Sequence, residues 1–155
     1  MEKDLEILIE EIDQIRQKME GVLEAVDPKL EICPGWTIKE AVSHITAWEI
    51  VIHKAIQAFK TGGAPYFLHE QDFDIFNQEA VGYRASWSLA QVLQEWKDIR
   101  SDLRKTITTL KEDDLSVEMV LPWGSERRLA ELIEIIGEHE GEHMENIVKV
   151  AGLRI

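Results

Sequence analysis

His139-Glu140-Gly141-Glu142-His143 spells the H-E-x-x-H pattern, in which two imidazoles bind zinc and the glutamate between them activates water. Residues four apart stand one above the other on a helix face, so both rings can reach a single point. A zinc protease takes its third ligand from further along the chain. The twelve residues after His143 hold Glu145 but no histidine and no room for another helix. Gly141 also weakens a helix inside the motif. The letters therefore point to another kind of metal site, with Glu140 an orienting or surface carboxylate rather than a peptidase base.

The row Leu132, Ile136, His139, His143, Ile147 and Val150 steps by 4, 3, 4, 4 and 3, which places the pair on core positions of the last helix. Two buried imidazoles cost free energy unless their nitrogens find partners, and a divalent cation satisfies both. His44, three after Ala41 and four before Trp48, lies at the edge of an earlier apolar stripe and can supply a third ring. Zn, Ni, Fe and Mn all accept imidazole, so the residues leave the identity of the metal open. A carboxylate accepting the free ring N–H is the usual support, and Glu49, Glu138, Glu140 and Glu142 are candidates. The competing reading is an inward histidine satisfied by the core beside a solvated i,i+4 pair. His53 is expected at the surface, while His69 lies in a long connection from which it could approach a pocket mouth. Trp48, Tyr83 and Trp123 are candidate pocket walls, though core packing accounts for them equally well.

Four amphipathic helices must position these residues. The first carries Leu5, Leu8, Ile12, Ile15, Met19, Val22 and Val26 at alternating spacings of 3 and 4, and Asp27-Pro28 ends it. The second starts at Thr37 with Glu40 three positions on, a reciprocal capping pair, and runs through Ile38, Ala41, Ile45, Trp48, Ile52, Ile56 and Phe59 to about Lys60. A third follows a cap at Ser86 or Ser88 and shows Leu89, Val92, Trp96, Ile99, Leu103, Ile107 and Leu110. The last begins at about Leu129. Residues 61–88 form the longest connection, with a short helix expected in DFDIFNQEAVGYR, and SVEMVLPWGSER reads as partly extended. Four apolar stripes bury together around a common axis, so the expected fold is an all-α four-helix bundle.

The 155 residues suit a single domain, 1–155. No apolar run approaches the roughly 20 residues of a membrane-spanning helix, and the acidic start MEKDLEILIEEID lacks the features of a secretory signal. The lone Cys33, a weak candidate nucleophile, fits a reducing compartment; cytoplasmic location and no membrane partner are the expectations. A net charge of −13 repels a phosphate backbone, and only Arg127-Arg128 and the 100–105 segment are locally basic, so nucleic acid is expected not to be a partner.

WTIKEAVSHITAWE, with Trp36, the capped helix start and His44, resembles the segment around the first metal ligand of the DinB-like superfamily, the DinB/YfiT-like metalloenzymes. LAELIEIIGEHEGEHMENI resembles that family's last helix, with its H-x-x-x-H pair, and FNQEAVGYRASWSLAQVLQEWKDIRSDLRKTITTL resembles branches with an Asn-containing short helix before the third long one. The resemblance implies an up-down-down-up bundle, often a homodimer, with a divalent metal held by His44, His139 and His143 and positions left open for water. It further implies a small-molecule substrate and transferase or isomerase chemistry with a low-molecular-weight thiol cosubstrate such as bacillithiol, mycothiol or glutathione. No thiol-binding residue of this chain can be matched to that pattern. The expected function is a metal-dependent small-molecule enzyme activating a thiol for S-transfer or water for hydrolysis; the alternative is a metal-binding or stress-response bundle without catalysis.

Overall fold

A computed structural model of the chain describes residues 3–154. Four long helices, α1 Leu5–Ala25, α2 Ile38–Thr61, α4 Leu89–Thr108 and α5 Leu129–Ala151, are joined by a shorter α3 Phe73–Tyr83, a 3-10 turn Glu112–Ser116, and a two-stranded hairpin of β1 Glu118–Val120 and β2 Glu126–Arg128. Side-chain caps fix the starts of α2, α3 and α4. Glu40 reaches back to the Thr37 backbone N–H and hydroxyl at 2.9 Å, and Ser88 and Gln91 close the equivalent reciprocal pair. Asp72 accepts the Asp74 and Ile75 amides to start α3.

The topology follows from which ends share a core. One cluster joins Leu8 and Ile12 at the start of α1 to Ile52 and Ile56 late in α2, Leu103 and Ile107 late in α4, and Leu132 and Ile136 early in α5. The other joins Met19 and Val22 to Ile38 and Ile45, Val92 and Trp96, and Met144 and Ile147. Up-down-down-up is the only order that satisfies both. The parallel pairs α1–α5 and α2–α4 make the most extensive contacts. Among the described residues no helix is long and apolar enough to cross a membrane.

Two glycines of α5 behave differently. A Cβ on Gly137 would lie 3.0 Å from Ile15 Cδ1, so this glycine sets the close approach of α1 and α5. One on Gly141 meets nothing within 4 Å, and the helix runs through it unbroken. Gly141→Ala is therefore expected to raise unfolding free energy by about 0.5–1 kcal/mol, as helix propensity dictates. Urea denaturation checks this, and a loss of stability would show a steric constraint the surroundings do not contain.

Candidate metal centre

His44 and the α5 pair converge. His44 Nε2 lies 3.0 Å from His139 Nε2, which lies 3.1 Å from His143 Nε2. One ligand atom from each ring falls within 4.8 Å of the others, a grouping that could hold a metal ion. The capped first turn of α2 sets the height of His44, and Trp36, delivered by the turn at Gly35 (φ 81°), packs its ring 5.4 Å from the imidazole.

Burial, then the neighbouring His139 and His143, push His44 down to about 3 against an opposing effect of Asn77. Burial and His143 push His139 down to about 4 against Glu140, and burial lowers His143 against Glu142. At neutral pH all three rings therefore keep free lone pairs. Hydrogen bonding alone does not suit them. His139 Nε2 faces two other Nε2 atoms, and a neutral ring offers there one proton or one lone pair, which serves one contact and leaves the second unsatisfied. A cation accepts all three donors, so the residues fit the group.

An unfolded histidine titrates near 6.5. Below that pH the unfolded chain takes up protons that His44 and His139 refuse in the fold. Stability of metal-free protein, full above pH 6.5, should thus fall on acidification by up to about 1.4 kcal/mol per pH unit for each ring, until the folded values are reached. Urea denaturation from pH 7 to 5 measures this slope, and His139→Asn should make it shallower; equal slopes would contradict the lowered values.

The two histidines of α5 do not sit on the core row. They are half-buried at its edge, and the buried row runs through Leu132, Ile136, Glu140, Met144 and Ile147. Glu140, 0% exposed, faces away from the imidazoles into a four-residue ionic cluster. Arg16 of α1 donates to it at 2.9 Å from both Nε and Nη2, and reaches Glu49 of α2 at 2.9 Å. Arg100 of α4 donates to Glu49 at 2.6 Å and to Glu140 at 3.3 Å. The Trp96 indole N–H adds a bond of 3.0 Å to Glu140, and Arg16 stacks on the Trp96 ring at 3.9 Å. Burial opposes the Glu140 charge, but Arg100 and Arg16 outweigh it and hold this carboxyl below the usual range, whereas burial raises Glu49 against the same two cations. Arg16, Glu49, Arg100 and Glu140 thus tie all four long helices together.

None of the four carboxylates expected to orient a ring hydrogen-bonds to one; Glu49 and Glu140 are used by the arginines, and Glu138 and Glu142 are exposed. His44 Nδ1 is buried without a partner. His53 is half-buried and bonds Thr106 Oγ1 at 2.8 Å rather than lying in solvent. His69 is exposed and pairs with Glu79. Beside the histidines, a cavity of about 330 Å³ is lined by His44, Trp48, Ile52, Phe73, Asn77, Trp123, Ile135 and His139. Trp48 and Trp123 are walls of it as expected, whereas Tyr83 is 71% exposed and takes no part.

The pattern of the DinB superfamily matches residues 12–147. The chain belongs to the DinB superfamily. No curated protein matches it. Among solved structures, an uncharacterised protein from Escherichia coli UTI89 is similar, with a TM-score of 0.79 at 14% identity over 100% of this chain and 98% of its own. A Streptococcus pneumoniae protein gives 0.80 at 14% identity over 100% and 94%. The colibactin self-resistance protein ClbS, in complex with a dsDNA, gives 0.80 at 15% identity over 100% and 99%. That last similarity overturns the expectation that nucleic acid is excluded, because a chain with this DinB-like fold does hold duplex DNA. The physical error lay in judging charge along the sequence, summed and in short runs, rather than over the folded surface. A duplex responds to the local field within a Debye length, about 8 Å at physiological salt.

Proposed function

We propose that this DinB superfamily chain is a metal-dependent small-molecule enzyme in which His44, His139 and His143 hold one divalent cation. The convergence of three imidazole nitrogens from two helices, all with free lone pairs at neutral pH, is the observation that carries this reading. When bound, such a cation acts as a Lewis acid that favours the anionic form of a thiol or water near neutrality. The residues supply the rest. Three neutral ligands leave the cation its full charge, and α2 and α5, locked by the Arg16–Glu49–Arg100–Glu140 cluster, fix the spacing of the rings. The adjoining cavity holds a substrate against His44 and His139.

Turnover of a chlorinated aromatic with added thiol, and of ester substrates without it, tests the proposal on metal-loaded protein. Loss of turnover on chelation with the fold intact supports catalysis. Bound metal without turnover across many thiols and electrophiles leaves the alternative, a metal-binding bundle that does not catalyse. Duplex DNA is a second ligand to test, favoured by the similarity to ClbS. Saturable binding of a labelled duplex at low salt establishes it, and its absence there removes it.

A further inference from the structure

Trp48, Phe73 and Trp123 meet at one mouth of the bundle although they come from three separate elements. The Trp48 and Phe73 ring centroids are 5.2 Å apart at 81°, Trp48 and Trp123 5.9 Å at 72°, and Phe73 and Trp123 6.4 Å at 84°. All three contacts are edge-to-face, so each ring presents surface to its neighbours at a steep angle and the trio forms a cornered wall rather than a stack. Each ring is separately anchored. Trp48 donates its indole N–H to Asn77 Oδ1 at 2.9 Å. Trp123 rides on the hairpin turn closed by Leu121 N to Ser125 O and by Gly124 at φ 97°, and Pro122 O accepts the Leu68 amide. Phe73 opens α3 and is 45% exposed, which a core aromatic would not be.

The cavity behind this wall has no carboxylate, ammonium or guanidinium among its lining residues, in a chain that is 30% charged. Its volume of about 330 Å³ lies at the low end of the roughly 300–1,000 Å³ of small-molecule sites, room for one or two fused rings and not for a peptide. Beside the two indole N–H groups, its polar side chains are His44, His139 and Asn77; Trp48 donates to the Asn77 carbonyl, and the Asn77 amide NH₂ is a further donor.

We propose that this cavity binds an uncharged, flat aromatic group whose single polar substituent faces His44, His139 and Asn77. In the metal-free chain a charged ring would lose its hydration without gaining a counter-ion, because no lining residue is charged, and a saturated chain would forgo the ring–edge contacts. As an assignment of substrate class this rests on the metal-dependent reading above; as an assignment of a binding site it does not.

The test therefore uses metal-stripped protein kept in chelator, with naphthol as probe and naphthalene sulfonate as the charged control of the same ring. Calorimetry should show saturable binding of naphthol, at least about tenfold weaker binding of the sulfonate, and at least a tenfold loss for naphthol in Trp123→Ala and in Phe73→Ala. In NMR spectra of the wild-type chain, the indole N–H signals of Trp48 and Trp123 should move on titration while those of Trp87 and Trp96 stay. This measurement needs no variant to fold. Absence of saturable naphthol binding, equal affinity for the sulfonate, or shifts confined to Trp87 and Trp96 would each overturn the proposal. Metal content of the same variants is read separately. Retained metal with lost naphthol binding isolates the pocket, and a wild-type chain that binds naphthol yet takes up no metal sinks the metal reading alone.

Discussion

Glu140→Ala should lower the unfolding free energy by about 3–5 kcal/mol, the cost of stranding a buried charge when one partner of an ion pair is removed. Two guanidiniums and two carboxylates cancel within the cluster; without Glu140, Arg16 keeps only its shared contact to Glu49 and the Trp96 carbonyl, and Arg100 loses one of its two carboxylates. The Trp96 indole N–H loses its acceptor as well. Against a total stability of about 5–15 kcal/mol this is a large fraction. Glu138→Ala and Glu142→Ala, exposed on the same helix, should stay within about 0.5 kcal/mol of wild type. Urea denaturation of the three variants decides the matter: a Glu140→Ala loss no greater than that of the two exposed positions would mean the cluster does not hold the bundle. Replacing all four members with apolar residues of similar volume is expected to be close to neutral, which would separate the cost of an unpaired charge from the worth of the intact cluster.

The second large effect is expected at His139→Ala, which removes the ring whose Nε2 touches both others. Changing a residue that only supports a ligand costs about 10–100-fold in metal affinity, and losing the ligand itself should cost more. Elemental analysis after dialysis should find near-stoichiometric metal in wild type and almost none in His139→Ala or His44→Ala, with His53→Ala and His69→Ala unaffected. Equal metal in wild type and His44→Ala would remove α2 from the site. Because protons compete poorly for rings lowered to about 3 and about 4, metal release on acidification should reach its midpoint well below 6.5.

The long helices and the caps at Thr37 and Ser88 were legible because each depends on spacing within one segment, and His44 meets His139 and His143 because each ring borders the apolar stripe of its own helix. The ionic cluster was not read from the sequence, although its signal is there. Arg16 falls four after Ile12 and three before Met19, Arg100 four after Trp96 and three before Leu103, Glu49 four after Ile45 and three before Ile52, and Glu140 four after Ile136 and four before Met144. Each is a charge on an apolar row. Ile15, Ile99 and Trp48, one residue earlier, satisfy a hydropathy pattern equally well and turn out half-buried at the stripe's edge. Only the pairing of two positive with two negative intruders, one per helix, distinguishes a buried cluster from four surface residues, and that pairing is a property of the assembled bundle. The same one-residue rotation explains why His139 and His143 border the core instead of occupying it. The pocket was half legible: Trp48 and Trp123 were candidates, but Phe73 and Asn77 owe their place to how the long connection folds back.

That connection has a wider consequence. With α2 and α4 parallel, the chain leaving Thr61 must travel back along a 24-residue helix, about 36 Å, before α4 can start. The return is obligatory, yet the residues it lays across the mouth of the bundle contribute little to the two main cores. A lineage built on this plan can therefore reshape the cavity beside the three histidines by rewriting residues 62–88 and the hairpin tip, while the histidines and the buried interior stay as they are.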